Sequence, residues 1–157
     1  MLSKKIVLLG MAGVGKSTLG KLLAKNYHLP FIDLDLEIEN YTKEPLQTSL
    51  DRLGDTAFLD LEKKVFEQLS HQVAVYAPGG SFIYIAHHFQ NDFYFVYLNE
   101  NTDTLIQRLD NLDTRGIVGI KNNSFHSLVE ERALLGKKYA HLFIECRNRP
   151  KQQIVDE

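Results

Sequence analysis

Residues 10–18 read G-M-A-G-V-G-K-S-T and directly follow the apolar run Ile6–Leu9. The spacing G-x-x-x-x-G-K-S is that of a phosphate-binding P-loop, and it is informative when a strand precedes it and a helix follows it. Residues 19–27 supply the helical pattern. In such a loop backbone N–H groups converge on phosphate, while Lys16 reaches the β- and γ-phosphates and the Ser17 hydroxyl reaches Mg²⁺. The segment therefore predicts binding of a nucleoside triphosphate.

Composition limits the possible partners. The chain has 157 residues, which suits one domain, and its net charge of −2 provides no basic field for a nucleic-acid backbone. No apolar stretch approaches the roughly 20 residues of a membrane span. Cys146 is the single cysteine, so an internal disulfide is impossible, as is usual in a reducing cytoplasm. We expect a cytoplasmic monomer without nucleic-acid or membrane partners.

Short β-like runs alternate with longer helical runs along the chain. Strands are expected at Lys5–Leu9, Phe31–Asp33, Val73–Ala77, Phe93–Leu98 and Leu142–Cys146, and helices at Lys16–Tyr27, Asp55–Leu69, Thr102–Leu109 and Ser124–Tyr139. This alternation predicts parallel strands joined by crossover helices. The expected fold is α/β: a three-layer α/β/α sandwich with a five-stranded parallel sheet, formed as a single domain by residues 1–157.

Two segments interrupt this alternation. Pro45 and Gly54 are expected to divide the region between the second and third strands into short helices. Residues 112–123 are polar, contain glycine and lie between the fourth strand and the last long helix. They are interpreted either as a lid that closes over the site or as an ordinary surface loop.

Two carboxylates follow the second strand, at Asp33 and Asp35. Ligands of parallel sheets gather at the carboxyl ends of strands, and an extended backbone would point both side chains the same way. One of the two carboxylates would then hold Mg²⁺ through water, and the other would accept a hydrogen bond or a proton from an attacking hydroxyl. The alternative is that one of them caps a helix beginning at Leu36.

At this point the sequence resembles the shikimate kinase family, which has the nucleoside monophosphate kinase-like P-loop fold. After the P-loop, residues 31–39 match F-I-D-L-D-x-x-I-E, and residues 54–62 resemble G-E-x-x-F-R-x-x-E. Residues 77–80 lie where the family has a strand ending in G-G-G, and residues 147–150 resemble the loop that packs on adenine. The resemblance covers nearly the whole chain, in order.

The resemblance implies a role for each matching residue. Catalysis would involve Lys16, Asp35 and Arg115, with Arg115 closing onto the transferring phosphoryl group and Arg108 stacking on adenine. Substrate would contact Asp35 and the backbone N–H groups of Gly79 and Gly80. Magnesium would be held by Ser17 and Asp33. The residues implied to bind ATP are Gly13, Val14, Gly15, Lys16, Ser17, Thr18, Arg108, Arg149 and Pro150.

The departures from the family pattern fall on the acceptor half of the site. Leu59 stands at the arginine of F-R-x-x-E, Leu135 at the arginine expected four residues before Tyr139, and Pro78 at the first glycine of G-G-G. Each lost charged contact should weaken carboxylate binding by roughly 1.5–3 kcal/mol. Arg132 is basic, but its register is expected to be wrong for the substrate if this segment is a helix.

The sequence therefore predicts a Mg²⁺-dependent kinase of aromatic amino acid biosynthesis that transfers the ATP γ-phosphate to a hydroxyl of a small metabolite. The acceptor is shikimate, if Arg132 or a lid residue binds its carboxylate, or a related polyol without one. The alternatives are a non-catalytic ATP-binding protein with a regulatory or scaffolding role and, less favoured, a nucleoside monophosphate kinase, since residues 37–58 hold only Arg52. Glu62, without its arginine partner, is expected to be solvated.

Overall fold

The computed structural model describes residues 5–109 and 116–157. Its centre is a sheet of five strands, all parallel, in the order β2-β3-β1-β4-β5. The strands are β1 (Lys5–Leu9), β2 (Phe31–Asp33), β3 (Val75–Ala77), β4 (Phe93–Asn99) and β5 (Leu142–Glu145). All five expected strands are present, and the predicted five-stranded parallel sheet is confirmed.

The described residues also form six α-helices and two short 3₁₀ helices, which lie between the strands except for the last helix, which follows β5. The α-helices are α1 (Lys16–Tyr27), α2 (Leu34–Thr42), α3 (Leu46–Leu69), α4 (Thr102–Arg108), α5 (Phe125–Tyr139) and α6 (Lys151–Asp156), and the 3₁₀ helices are Gly80–Tyr84 and Ala86–Phe89. None of these helices is long and apolar enough to cross a membrane.

The sheet separates two apolar cores, which makes the molecule three layers deep. Along the central strand β1, side chains alternate between the faces: Ile6 and Leu8 join the core packed by α1, α4, α5 and α6, whereas Val7 and Leu9 join the core packed by α2, α3 and the 3₁₀ helices. Because both faces are covered, β1 is a continuous apolar run rather than an alternating one.

The structure differs from the sequence expectation mainly in its helices. Helix α2 is one of the short helices expected between the second and third strands; it begins at Leu34 after the cap residue Asp33, two residues before the start at Leu36 that the capping alternative assumed, and its C-cap is Lys43, with φ 61°. The expected divisions at Pro45 and Gly54 are confirmed: Pro45 is the N-cap of α3, and α3 is broken at Gly54, whose φ and ψ of 80° and 170° are non-helical, so helical residues extend from Leu46 to the break and from Asp55 to Leu69. The short helix α6 also went unpredicted.

The strand order determines where a ligand binds. Strands β3 and β4 lie on opposite sides of β1, so the chain leaves β1 toward one edge of the sheet and leaves β3 toward the other. Such a switch point opens a crevice at the carboxyl ends of the strands. The P-loop, the segment after Asp33 and the segment after Ala77 all meet at this crevice.

Candidate active site

The P-loop closes around Lys16, whose Nζ donates hydrogen bonds to the carbonyl oxygens of Gly10 (2.6 Å) and Met11 (2.9 Å). Gly10, Gly13 and Gly15 have positive φ values of 150°, 86° and 106°, a region that favours glycine. Gly15 is also the N-cap of α1, so the first N–H groups and the positive end of the helix dipole face the same space. This is the geometry of an anion-binding nest.

The P-loop forms one wall of a cleft of about 910 Å³, a volume that includes the part open to solvent. The segments after β2 and β3 form the opposite walls. The structure thus brings together most of the residues that the sequence pattern singled out. Of these, the cleft is lined by Gly13, Gly15, Lys16, Ser17, Thr18, Asp33, Asp35, Gly79 and Gly80.

Asp33 uses its two carboxylate oxygens for different contacts. Oδ1 accepts a hydrogen bond from the backbone N–H of Leu36 (3.2 Å) and so caps α2, while Oδ2 lies 3.4 Å from the hydroxyl oxygen of Ser17. The capping and ligand interpretations of this residue are therefore compatible. A hydroxyl and a carboxylate side by side beside a phosphate loop are hard oxygen donors that fit Mg²⁺.

Asp35 reaches the cleft by a different route from the one expected. Strand β2 ends at Asp33, and Asp35 lies in the first turn of α2, so the two carboxylates do not share an extended backbone. The helical turn nevertheless directs Asp35 to the loop after β3. Its Oδ1 lies 2.7 Å from the point where a Cβ atom of Gly79 would be, so any side chain at that position would displace the carboxylate.

The acceptor side of the cleft contains a buried arginine, Arg132, which is only 1% exposed. Its Nη2 donates to the carbonyl oxygen of Val118 (2.6 Å), its Nε to the hydroxyl of Tyr84 (3.3 Å), and its Nη1 lies 3.7 Å from Met11 Sδ. Nη1 is also 3.0 Å from the point where a Cβ atom of Gly80 would be. The guanidinium group is thus held at the cleft wall next to the P-loop.

This position corrects the expected register of the last long helix. Arg132, not Leu135, reaches the cleft, and Leu135 instead packs against the second core. The physical cause is Gly136, one turn after Arg132, where a Cβ atom would come within 2.5 Å of the ring of Tyr97. With no side chain there, α5 lies close against the sheet and turns its Arg132 face to the cleft. Leu59 also packs on the second core rather than lining the cleft.

Glu62 is fully buried, which contradicts the expectation that it is solvated. Its carboxyl oxygens accept a hydrogen bond from Ser81 Oγ, at 2.9 and 3.2 Å. Burial, reinforced by the negative charge of Asp35, raises the pKa of Glu62 to about 8, against the opposing effects of Ser81, Arg132 and Lys16. The carboxyl group is therefore largely protonated at neutral pH.

The two arginines expected near adenine, Arg108 and Arg149, are each held by hydrogen bonds to backbone carbonyl groups. Arg108 donates to the carbonyl oxygen of Gly13 (3.0 Å) and to Asn148 Oδ1 (2.7 Å), which joins the P-loop to the loop after β5. Arg149 donates to the carbonyl oxygens of Glu145 (2.7 Å) and Cys146 (3.2 Å). These contacts fix Arg108 beside the P-loop and Arg149 at the end of β5, and the contact of either arginine with adenine stays a prediction.

Two further expected ATP contacts lie next to the cleft lining. Pro150 is the N-cap of α6, and Val14 is completely buried beneath the loop. Lys151, which the sequence did not single out, donates to the carbonyl oxygen of Val14 (3.3 Å). Its Nζ also lies 2.5 Å from the point where a Cβ atom of Gly15 would be. Helix α6 therefore packs directly on the P-loop.

Only part of the expected lid is described, because residues 112–115, and Arg115 with them, lie outside the described residues. Gly116 N donates to Gln47 Oε1 (2.8 Å), and Lys121 forms an ion pair with Asp51 (2.7 Å). Ile117 and Val118 are buried and line the cleft. Residues 116–121 thus rest on α3 and cover one side of the cleft.

An anion nest, a hydroxyl and a carboxylate side by side next to it and a second carboxylate in the same cleft are typical of a P-loop phosphotransferase. The family model for shikimate kinase matches residues 12–157 of the chain. The chain belongs to the shikimate kinase family, and it is an ATP-binding phosphotransferase whose acceptor group is a hydroxyl.

Individual relatives agree with this assignment. The shikimate kinase of Aromatoleum aromaticum is 30% identical over 146 residues, covering 89% of this chain and 83% of that protein. The shikimate kinase of Enterococcus faecalis is 26% identical, covering 98% and 95%. Among solved structures, the shikimate kinase from Acinetobacter baumannii in complex with shikimate has a TM-score of 0.87 and 26% identity, covering 98% of this chain and 89% of that one.

Proposed function

We propose that this chain transfers the γ-phosphate of Mg²⁺-bound ATP to a hydroxyl group of shikimate, giving shikimate 3-phosphate. The observation that carries the choice of acceptor is the buried guanidinium group of Arg132 at the cleft wall beside Asp35 and Gly80. A planar guanidinium in a buried site is well suited to bind a carboxylate. Shikimate carries one carboxylate and three hydroxyl groups. Its carboxylate can therefore pair with the positive Arg132, and one of its hydroxyl groups can donate a hydrogen bond to the negative Asp35.

The residues of the cleft divide the chemistry between them. Lys16 and the N–H groups of the P-loop bind the phosphates, and Ser17 and Asp33 would hold Mg²⁺, which neutralises phosphate charge when bound. Asp35 orients the attacking hydroxyl and accepts its hydrogen bond. The backbone N–H groups of Gly79 and Gly80 position the substrate. Arg115 closes onto the phosphoryl group in this proposal, as the family resemblance implies.

Phosphoryl transfer between positioned groups requires no covalent intermediate with the protein. Catalysis therefore depends on alignment: Arg132 fixes one end of the acceptor while Asp35 holds the hydroxyl at the other end near the γ-phosphate. An acceptor that lacks the carboxylate loses the first of these contacts. Its phosphorylation should be slow at the same concentration.

The test is ADP formation with Mg²⁺ and ATP, in the presence of shikimate or of its methyl ester, which has the same hydroxyl groups but no negative charge. We expect saturable turnover with shikimate and a KM at least tenfold higher for the ester, since one charge-assisted contact contributes about 1.5–3 kcal/mol. The R132M variant should remove this preference. R52M is the matched control, because Arg52 is 55% exposed on α3 and forms an ion pair with Glu44, and neither residue lines the cleft.

The outcomes separate the candidate functions. ATP binding without acceptor-dependent ADP formation would support the non-catalytic alternative. Equal turnover of acid and ester, unaffected by R132M, would contradict the role of Arg132 and favour an uncharged polyol as acceptor. Loss of the preference for the acid in R132M, with R52M unchanged, supports the proposal.

A further inference from the structure

Glu62 is a carboxyl group buried behind the cleft wall that Gly79 and Ser81 form, and the proposed transfer does not use it. Its side chain is 0% exposed, and its hydrogen-bond donor is a neutral hydroxyl, that of Ser81. The residue one helical turn earlier on the same face of α3 is Leu59, which is apolar and offers no positive charge. Burial of a charge without a close partner is costly, and such a group keeps its proton instead.

The surroundings of Glu62 add a second reason for it to hold a proton. Around the position of a Cβ atom at Gly79, Asp35 Oδ1 lies at 2.7 Å and Glu62 Oε2 at 3.4 Å, so the two carboxyl groups meet at one point of the cleft wall. Two carboxylates that share a site do not both ionise readily. Asp35 reaches this point from α2 and Glu62 from α3.

Among the residues that the structure describes, the positive charges that act on Glu62 come from two other elements. Arg132 on α5 acts on Glu62 electrostatically, and it lies along the same loop: its Nη1 is 3.0 Å from the Cβ position of Gly80, while Glu62 Oε2 is 3.4 Å from the Cβ position of Gly79. Lys16 at the start of α1 acts on Glu62 at longer range. The close hydrogen bonds of Arg132 go to Val118, Tyr84 and Met11. Arg132 therefore interacts electrostatically with an ionised Glu62, but its hydrogen bonds are made to other residues.

We propose that Glu62 is a specificity-determining residue of the acceptor subsite: in its protonated form it leaves the charge of Arg132 available to an anionic acceptor, and on ionisation it repels that acceptor. This inference rests on the proposed function, because it concerns the same subsite. It makes acceptor binding proton-linked. Binding of a carboxylate next to Glu62 favours the protonated form, so the protein takes up a proton when the acceptor binds at a pH where Glu62 is partly ionised.

The burial-raised pKa of about 8 sets the pH range of the effect. Below pH 7 nearly all molecules hold the proton and acceptor affinity is independent of pH. Above pH 8 the protonated fraction falls about tenfold per pH unit, and the affinity for a carboxylate falls with it. An uncharged acceptor such as the methyl ester of shikimate does not show this dependence.

The experiment is calorimetric titration of the full chain with shikimate at pH 6 to 9.5, in buffers of different ionisation enthalpy. For the wild type we expect the Kd to rise about tenfold from pH 7 to pH 9 and proton uptake on binding near pH 8. The E62Q variant keeps the shape of the protonated acid but cannot ionise, so its Kd should be flat with pH and its proton uptake absent. E67Q is the matched control, since Glu67 lies on the same helix, is 54% exposed and should behave as wild type.

Each outcome decides the inference. If shikimate binds the wild type and E62Q with the same pH dependence, the inference about Glu62 is overturned, but shikimate remains the proposed acceptor. Shikimate that binds neither protein at any pH overturns the proposed acceptor and the inference together. If E62Q does not fold, the wild type alone decides, because binding without proton uptake between pH 7.5 and 9 contradicts a protonated Glu62.

Discussion

Gly136 packs directly on the ring of Tyr97: a Cβ atom at Gly136 would lie 2.5 Å from one ring atom, 2.6 Å from a second and 2.9 Å from a third. Tyr97 is 1% exposed on the central part of the sheet, so its ring has no space into which to move. This close approach holds α5 against β4, and Arg132 is one helical turn before Gly136. The register of the acceptor subsite therefore depends on a residue without a side chain.

We predict that the G136A substitution destabilises the protein and raises the KM for shikimate. Alanine gains up to about 1 kcal/mol of helix propensity over glycine, but overpacking a closed core costs about 1–3 kcal/mol, so the net effect is a loss of roughly 1 kcal/mol. Urea unfolding and steady-state kinetics measure the two effects. L134A is the control, because Leu134 is 68% exposed on the same helix. A G136A protein with higher stability and unchanged KM would contradict this view of the helix packing.

We predict that D33N and D33A have different effects on stability. Asparagine still caps α2, so D33N should unfold within about 0.5 kcal/mol of the wild type, whereas D33A should lose about 1 kcal/mol. Both variants lose the carboxylate beside Ser17 and should need more Mg²⁺ for half-maximal activity. Thermal unfolding and a Mg²⁺ titration of ADP formation provide the two measurements. A D33N enzyme with the Mg²⁺ requirement of wild type would exclude Asp33 from metal binding.

We predict that Glu62 makes the protein less stable as the pH rises. The pKa of Glu62 is about 8 in the folded state and near 4.5 when unfolded, so the folded state binds the extra proton between these values. Its stability contribution is complete below pH 4.5 and is lost progressively as the pH rises from 4.5 through 8, by on the order of 5 kcal/mol in total. The stability of E62Q relative to wild type should therefore increase from pH 5 to pH 9, measured by urea unfolding at each pH. A constant difference between the two proteins over this range would show that Glu62 is already ionised when folded.

We predict that Cys146 does not react with thiol reagents while the protein is folded. Its side chain is 1% exposed, and burial raises the pKa of the thiol to about 11, so little thiolate is present at pH 8. Labelling with a chromogenic disulfide should be at least a hundredfold slower than in 6 M urea, which serves as the control. Because this is the single cysteine of the chain, the labelling rate also reports unfolding. Rapid labelling under native conditions would contradict the burial of β5 against α6.

The sequence was sufficient for the parts of the fold that depend on local pattern. The P-loop after β1, the bounds of α1 and the alternation of strands and helices are encoded by neighbouring residues, and each of these predictions is confirmed. The position of Arg132 was missed because it depends on the contact between Gly136 and Tyr97. A glycine within a helical pattern was the available signal, and it indicates close packing.

The environment of Glu62 was also not predictable from local sequence. Its burial requires the segment that follows β3 to place Ser81 over α3, and its pKa depends on Asp35 from a third element. A hydrophilic residue in a helix with charged neighbours, such as Lys63 and Lys64, is usually solvated. What distinguishes Glu62 is its face of the helix, which it shares with the buried Phe58, Val65 and Phe66.

The strand order has a consequence for synthesis of the protein on the ribosome. Strand β1 is made first, yet both of its neighbours are made much later: Ile6 pairs with Val75, and Lys5 pairs with Phe93. Pairings between residues so far apart in the chain form slowly, because a long loop must close first. The nascent P-loop therefore has no neighbouring strand to hold it until about half of the polypeptide has emerged, and the apolar strand β1 is exposed to solvent during this time. Chaperone binding to the first residues of the nascent chain would protect this strand.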